Sequence, residues 1–528
     1  MEIRLILLLF SLIACGLAEP IVYSARLVHR FSDEARAHAG VRVSKNGAGA
    51  GGGPWPQRRS LEYYRRLLSS DVQRQTLKLN PQYQFLYPSA GSGTLPLGND
   101  FGWLNYMWIA LGTPKVLFLV ALDTGSDLSW VPCDCVQCAP LSSSYYGSLD
   151  QDLNEYNPSS SSTSKTLSCS HHLCNMGPEC LNPKQQCSYT VNYYSDDTST
   201  SGFLVQDVLH LLPGHSDGLN KSVRAPVVIG CGSKQTGGYL SGVAPDGLLG
   251  LGLGEISVPS FLAKAGYIKN SFSLCFNEDD SGRLLFGDQG VGGQETTPFL
   301  PFNGKNSTYI VGVDACCIGS TCLNETNVEM LVDSGTSFTF LPDQIYQRVV
   351  EELDRQVNAS KSTFKGYPWQ YCYKSSSLEV SNVVPSFTLK FASAKGFVIK
   401  NPVFDIYGTQ GAVGFCLAIQ PTKEIVGTIG QNFMTGYQIV FDRENLRLGW
   451  SRSNCHDLNN GLPLNASSSS NSPNSLPSTE QQSGPNSHAV SPAVAERTPS
   501  KSSITCPSYL VNFFLLLFIN ILPFEVFM

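Results

Sequence analysis

The sequence predicts an all-β fold, mainly strand with a few short helices, built as two related β lobes. Three observations carry that prediction. The 48 glycines and 31 prolines, beside many Tyr, Phe, Val and Thr, favour strands and turns over long helices. The 528 residues exceed what one hydrophobic core usually holds. Finally, one pattern occurs twice: Ala121-Leu122-Asp123-Thr124-Gly125-Ser126 and Leu331-Val332-Asp333-Ser334-Gly335-Thr336. Each is an apolar strand ending in an Asp, a small hydroxyl residue, a Gly and a second small hydroxyl residue.

Composition bounds the rest. Hydrophobic content of 42% and charged content of 15% suit a folded, charge-poor globular body. The net charge of −6, with no long basic stripe, argues against nucleic-acid binding. Seventeen cysteines suggest an oxidising compartment. The N-terminus agrees: Arg4, the largely apolar run Leu5 to Ile13, and Gly16-Leu17-Ala18 read as a cleaved signal over residues 1–18, too short for a spanning anchor. Asn220, Asn306, Asn324, Asn358 and Asn465 each head an N-glycosylation sequon, as expected of a secretory protein.

Residues 19–95 form a basic leader, with 11 Lys and Arg against 5 Asp and Glu. The first 18 residues net zero, so everything after the leader carries −12. This is the charge pattern of a propeptide held to an acidic body and released when acid neutralises the body's carboxylates; the alternative is a basic arm with no regulatory role. Leu61, Tyr64 and Leu68 could share a face of a helix entered at Ser60, and 47–56 is a Gly-rich spacer.

The body divides into lobes 96–300 and 301–455. It opens strand, turn, strand from Trp103 into Asp123. Seven cysteines from Cys133 to Cys187 follow. Their C-x-C-x-x-C opening could suggest a metal, but with no matching His pair disulfides are the better reading, and no metal or other cofactor is expected. Two β runs around the polar turn Ser195 to Gly202 read as a hairpin. Asp246-Gly-Leu-Leu-Gly-Leu-Gly and Ile425-Val-Gly-Thr-Ile-Gly place glycines among apolar residues, where chains pass close together. Ile345 to Val357 is a helix, and strands from Tyr437 and Leu446 close the body.

Residues 456–503 turn to Ser, Asn, Pro and Gln, a linker too poor in apolar residues to fold. The apolar tail within 504–528 has no basic residue after it and small residues upstream. A glycolipid-anchor signal fits this better than a true span, with Ser500, Ser502 or Ser503 as the attachment residue. The expected location is the outer face of the plasma membrane, with plain secretion as the alternative.

One Asp-hydroxyl-Gly turn occurs often by chance. Two, at equivalent places in similar half-chains, suggest a duplicated lobe whose carboxylates meet on an approximate twofold axis. Two close carboxylates cannot both ionise easily, so they share a proton. One then activates water as general base while the other protonates a scissile carbonyl. Thr124, Ser126, Ser334 and Thr336 can orient them by hydrogen bonds, and Gly125 and Gly335 let backbone approach.

On Asp123-Thr-Gly-Ser, Asp333-Ser-Gly-Thr, Asp246-Gly-Leu-Leu-Gly-Leu-Gly and Ile429-Gly-Gln-Asn-Phe through Phe441-Asp442, the chain resembles the pepsin-like aspartic proteases, in their cysteine-rich plant or nepenthesin-like branch. The resemblance spans about Trp103 to Cys455. It implies the bilobal fold, Asp123 and Asp333 as catalytic dyad, and protein or peptide substrates cleaved by a monomer. It also implies Tyr194 as the tyrosine of a flap over the cleft, with Tyr193 as rival, and Trp130 holding it. Ser195-Asp196-Asp197 departs from the usual Gly-Asp-Gly of that flap. The resemblance pairs Cys372 with Cys416 and Cys275 with Cys455, and makes Cys133 and Cys138 disulfide candidates. Fifteen cysteines remain without Cys15 and Cys506, so one is left over. A protease-like protein that only binds or inhibits is the alternative, although such relatives usually lose an Asp or its surrounding motif. A serine, cysteine or metal hydrolase is poorly supported: no His-Glu-x-x-His motif occurs.

Overall fold

The computed structural model describes residues 23–29, Tyr64 and most of 105–453 together with Cys455. Strand is the dominant element, at 52%, with only short helices besides Asp343–Gln356. That helix buries Tyr346, Val349, Val350 and Leu353, the one-face spacing its sequence shows.

Both half-chains build the same local arrangement. In the first, Asn105–Leu111 and Val116–Asp123 form an antiparallel hairpin turning at Gly112-Thr113-Pro114. Ala121 to Asp123 then lies parallel to Leu248–Gly250. In the second, Val328–Val332 lies parallel to Gly427–Ile429. Each Asp-bearing strand therefore rests beside one Gly-apolar strand. The glycines are needed for closeness. A Cβ on Gly247, itself at φ +102°, would sit 2.0 Å from Trp130 O, and one on Gly430 would sit 2.2 Å from Phe338 O.

The halves are tied by strands that return late in the chain. Ser271–Phe276 pairs with Tyr437–Asp442, and Glu295–Phe302 pairs with Arg447–Arg452. Phe272 stacks on Phe441 with centroids 4.7 Å apart, and Tyr309 packs edge-on against Phe441. Burying such rings stabilises by about 2–3 kcal/mol each. The leader contributes a strand as well. Tyr23–His29 runs antiparallel to Ser281–Phe286 and touches Tyr106 and Asn105 at its end. In the leader's proposed helix only Tyr64 is described, and it is helical; Leu61 and Leu68 lie outside the described residues.

Cys275–Cys455 and Cys372–Cys416 bridge as the resemblance implies. Cys133 and Cys138 are both bridged, but to distant and near partners respectively: Cys133 to Cys231 and Cys138 to Cys135. The strand Trp130–Gln137 runs parallel to Val223–Gln235, with Val131 opposite Cys231, which brings Cys133 across to a cysteine 98 positions away. Cys169–Cys180, Cys174–Cys187 and Cys317–Cys322 complete the set. Cys316 is free and buried. Adjacent strand residues face opposite sides, so Cys317 meets Cys322 across a hairpin while Cys316 points into the core, where burial pushes its thiol up to about 12.

Cys275–Cys455 closes the longest loop among the described disulfides, 180 residues, and pins the segment that follows the strand Arg447–Arg452. Replacing Cys275 by Ser is expected to cost about 4 kcal/mol and to lower the thermal midpoint by several degrees. Calorimetry on the purified chain checks this; an unchanged midpoint would mean that strand pairing alone holds the closing segment.

Among the described residues no helix is long and apolar enough to cross a membrane. The tail 504–528, Ser500, Ser502 and Ser503 lie outside the described residues, as do Asn220, Asn324 and Asn465. Asn358 is exposed, and Asn306 lies in the strand Lys305–Ile318.

Candidate active site

Asp123 and Asp333 end their strands fully buried. Each sits in a turn that holds its carboxylate twice. Asp123 Oδ1 accepts from Gly125 N at 2.9 Å and Oδ2 from Ser126 Oγ at 2.8 Å. Asp333 Oδ1 accepts from Gly335 N at 3.0 Å and Oδ2 from Thr336 Oγ1 at 2.6 Å. The four partners occupy matching places in the two turns. All six supporting residues named from sequence are therefore brought together.

The turns interlock. Ser334 N donates to Thr124 Oγ1 at 2.9 Å and Thr124 N to Ser334 Oγ at 3.2 Å. Thr124 Oγ1 then donates to Val332 O, and Ser334 Oγ to Leu122 O, each reaching the strand that carries the other half's Asp. The small hydroxyl after each Asp is thus a cross-brace, a role that needs one donor and one acceptor on a short side chain. The result fixes the carboxylates side by side. Each Oδ1 lies 3.1 Å from the one point where a Cβ on Gly125 would stand. Two carboxylates that face one point in this way repel each other when both are ionised, the arrangement in which a pair comes to share a proton.

Support below is also twofold. Asp123 O accepts from Leu251 N and Ser126 O from Gly252 N. In the second half Asp333 N donates to Ile429 O and Thr336 O accepts from Gln431 N.

The predicted hairpin is present as Ser188–Tyr193 and Thr198–Leu211, paired up to Tyr193 opposite Thr198. Tyr194, the next residue in the sequence, lies outside the described residues. Trp130 is fully buried and packs edge-on against Tyr239, centroids 4.9 Å apart. Its indole N–H has no hydrogen-bond partner among the described residues.

Sequence reasoning missed three residues here. Tyr64, from the leader, is buried with Trp369, Phe404 and Phe338, the last of these five residues past Asp333, and its ring lies 4.0 Å from that of Phe404. Asp127 and Arg443 are both buried close to the first turn. Only Asp127, directly after Ser126, carried any signal. Asp246 lay within a quoted motif, yet its burial was not foreseen. Its carboxyl accepts from Leu119 N at 2.5 Å, and burial pushes it up to about 8.

Groups of three or more metal-ligand side chains among the described residues are Cys169, Cys174 and Cys180, and Cys133, Asp134 and Cys231. Their cysteines are all engaged in disulfides.

Comparison with known proteins matches this geometry. The family model for the xylanase inhibitor N-terminal region matches residues 106–288, and that for the xylanase inhibitor C-terminal region matches 311–452. Aspartic proteinase-like protein 1 of Arabidopsis thaliana is 54% identical over 95% of this chain and 94% of its own. The chain belongs to the family of pepsin-like aspartic proteinases. Aspartyl protease family protein 1 of Arabidopsis thaliana is 39% identical over 84% of each chain. Nepenthesin-1 of Nepenthes gracilis is 26% identical over 74% of this chain and 86% of its own. Conglutin gamma, a basic 7S globulin from lupine seeds, shares the pepsin-like fold, with a TM-score of 0.52 at 20% identity over 66% of this chain and 92% of that one.

Proposed function

We propose that this pepsin-like chain is an active aspartic endopeptidase. The observation that carries the reading is the paired turn: both Asp side chains, both glycines and all four hydroxyls are in place and mutually bonded. A water between the carboxylates gives its proton to the ionised Asp and attacks the peptide carbonyl, while the protonated Asp donates to the carbonyl oxygen. The tetrahedral diol then collapses, breaking the C–N bond as the nitrogen takes up a proton. Activity needs the shared proton, so it falls as pH rises through the pair's upper apparent pKa and is greatest in acid.

The cysteine-rich nepenthesin-like branch is part of this reading, supported by the bridges around the first Asp. So is a secretory route: cleavage after residue 18, glycosylation at the five sequons, a leader removed near residue 95, and a glycolipid tether replacing 504–528. Protein or peptide substrates lie extended in the cleft under the hairpin, with Tyr194 over them and Trp130 behind. The working unit is a monomer with no cofactor. A silent relative that binds or inhibits is the competing reading, since the matching family models take their name from xylanase inhibitors.

Incubating the acid-treated full chain with an unfolded protein and mapping the products by mass spectrometry tests the reading. New internal cuts that depend on Asp123 and Asp333 support it; an untouched substrate at every pH contradicts it. A Gly125→Ala change is expected to lower turnover at least tenfold with little loss of stability, because the added methyl enters the space between the two Oδ1 atoms. Steady-state kinetics beside a thermal melt checks that.

A further inference from the structure

The backbone support beneath the first Asp turn carries a buried acidic group and a buried basic group. Residues Leu251 to Gly254 form a short splint beneath that turn. On one side the splint holds the turn: Leu251 N donates to Asp123 O, Gly252 N to Ser126 O, and Gly254 N to Asp127 Oδ1 at 2.7 Å. On the other side it is gripped by residues from the second half-chain. Tyr309 Oη donates to Leu251 O at 2.7 Å, and Arg443 Nη2 to Leu253 O at 3.1 Å. Arg443 is itself buried and locked by Asn270, Ser257 and Ser260. The Asp127 carboxylate lies against bare backbone: a Cβ on Gly252 or Gly254 would meet it at 2.2 or 2.3 Å.

We propose that Asp127 and Arg443 are positioning residues for Asp123, acting through the Leu251–Gly254 splint. The inference rests on the endopeptidase reading for its kinetic consequence only. The matching place in the second turn is Ser337, which is uncharged. Among the described residues there, Gln431 N donates to Thr336 O and Gly430 N to Thr339 Oγ1, all uncharged groups of the same half. The dyad is therefore symmetric in its turns but asymmetric in what fixes them. Burial raises the Asp127 carboxyl while the Arg443 charge draws it down, so removing either group leaves the other uncompensated in the interior. The turn that slackens is the one whose Gly125 N and Ser126 Oγ bond the Asp123 carboxylate. Weaker donation to a carboxylate raises its pKa.

The test uses the full chain labelled with ¹³C at aspartate carboxyls, the Asp123 signal being assigned by its loss in Asp123→Asn. Asp127→Ala and Arg443→Met are expected to raise the apparent pKa of Asp123 by about half a unit or more. They should also lower kcat about tenfold while KM moves less than about twofold. Asp127→Asn keeps an acceptor for Gly254 N and is expected to recover most of both. An Asp123 titration unmoved in Asp127→Ala overturns the proposal, as does Asp127→Asn matching Asp127→Ala in full. If Arg443→Met fails to fold, the Asp127 pair decides alone. Titration needs no turnover, so an inactive wild-type chain would count against the endopeptidase reading while the Asp127 result still stands or falls by itself.

Discussion

Asp333→Asn, and separately Asp123→Asn, is expected to lower peptide turnover roughly a thousandfold at every pH. The change is nearly isosteric. An Asn at 333 still offers an oxygen to Gly335 N, and the Ser334–Thr124 brace is made by other residues. The fold should therefore persist, with a melt close to wild type. What is lost is chemistry: an amide can neither hold the shared proton at that position nor take one from water. Because the two carboxylates act as a unit, the double variant should be little worse than either single one. Stopped-time assays on melt-checked protein measure this. Turnover within about tenfold of wild type in either single variant would sink the dyad assignment.

The second large effect is on stability. Asp246 lies in the turn two residues before the strand Leu248–Gly250, which lies beside the strand carrying Asp123. Its carboxyl is buried and accepts from the backbone N–H of Leu119, with that of Asn154 also facing it. Burial pushes its pKa from 3.8 up to about 8. In the unfolded chain it ionises above about pH 4, whereas in the folded chain it keeps its proton to about pH 8. Between those values the folded state binds the extra proton, so stability falls as pH rises. The expected loss from pH 4 to pH 8 is at most about 5 kcal/mol. Asp246→Asn removes this titration and should flatten that slope. Urea unfolding at pH 4, 5.5 and 7 compares the two proteins; equal slopes would show that other groups set the pH dependence. The sign matches the proposed chemistry, since the dyad and the strand beside it both favour acid.

Much of this site was legible in the sequence because its chemistry is local. An Asp, two hydroxyls and a Gly within four residues, after an apolar strand, already specify the turn. Repetition of that turn specified the pairing, and the cross-brace of Thr124 and Ser334 needs only the residues next to each Asp. What was not legible depends on register between distant segments. Cys133 finds Cys231 because two strands run parallel, whereas the tight C-x-C-x-x-C spacing points attention to neighbours. Arg443 supports a turn more than 300 positions earlier, and nothing in its own vicinity announces that. The leader read as basic and loose, yet Tyr23–His29 completes a sheet edge and Tyr64 fills an aromatic cluster. The helical spacing of Leu61, Tyr64 and Leu68 pointed to an apolar face at Tyr64 but not to the distant residues that cover it, and the strand Tyr23–His29 had no such pattern.

The most direct test is the pH–rate profile of the full chain, activated in acid, on an internally quenched peptide from pH 3 to 8. A maximum below neutrality that vanishes in Asp123→Asn is the result predicted by a buried carboxylate pair sharing one proton. No cleavage at any pH, or a rate that peaks above neutrality, would contradict it.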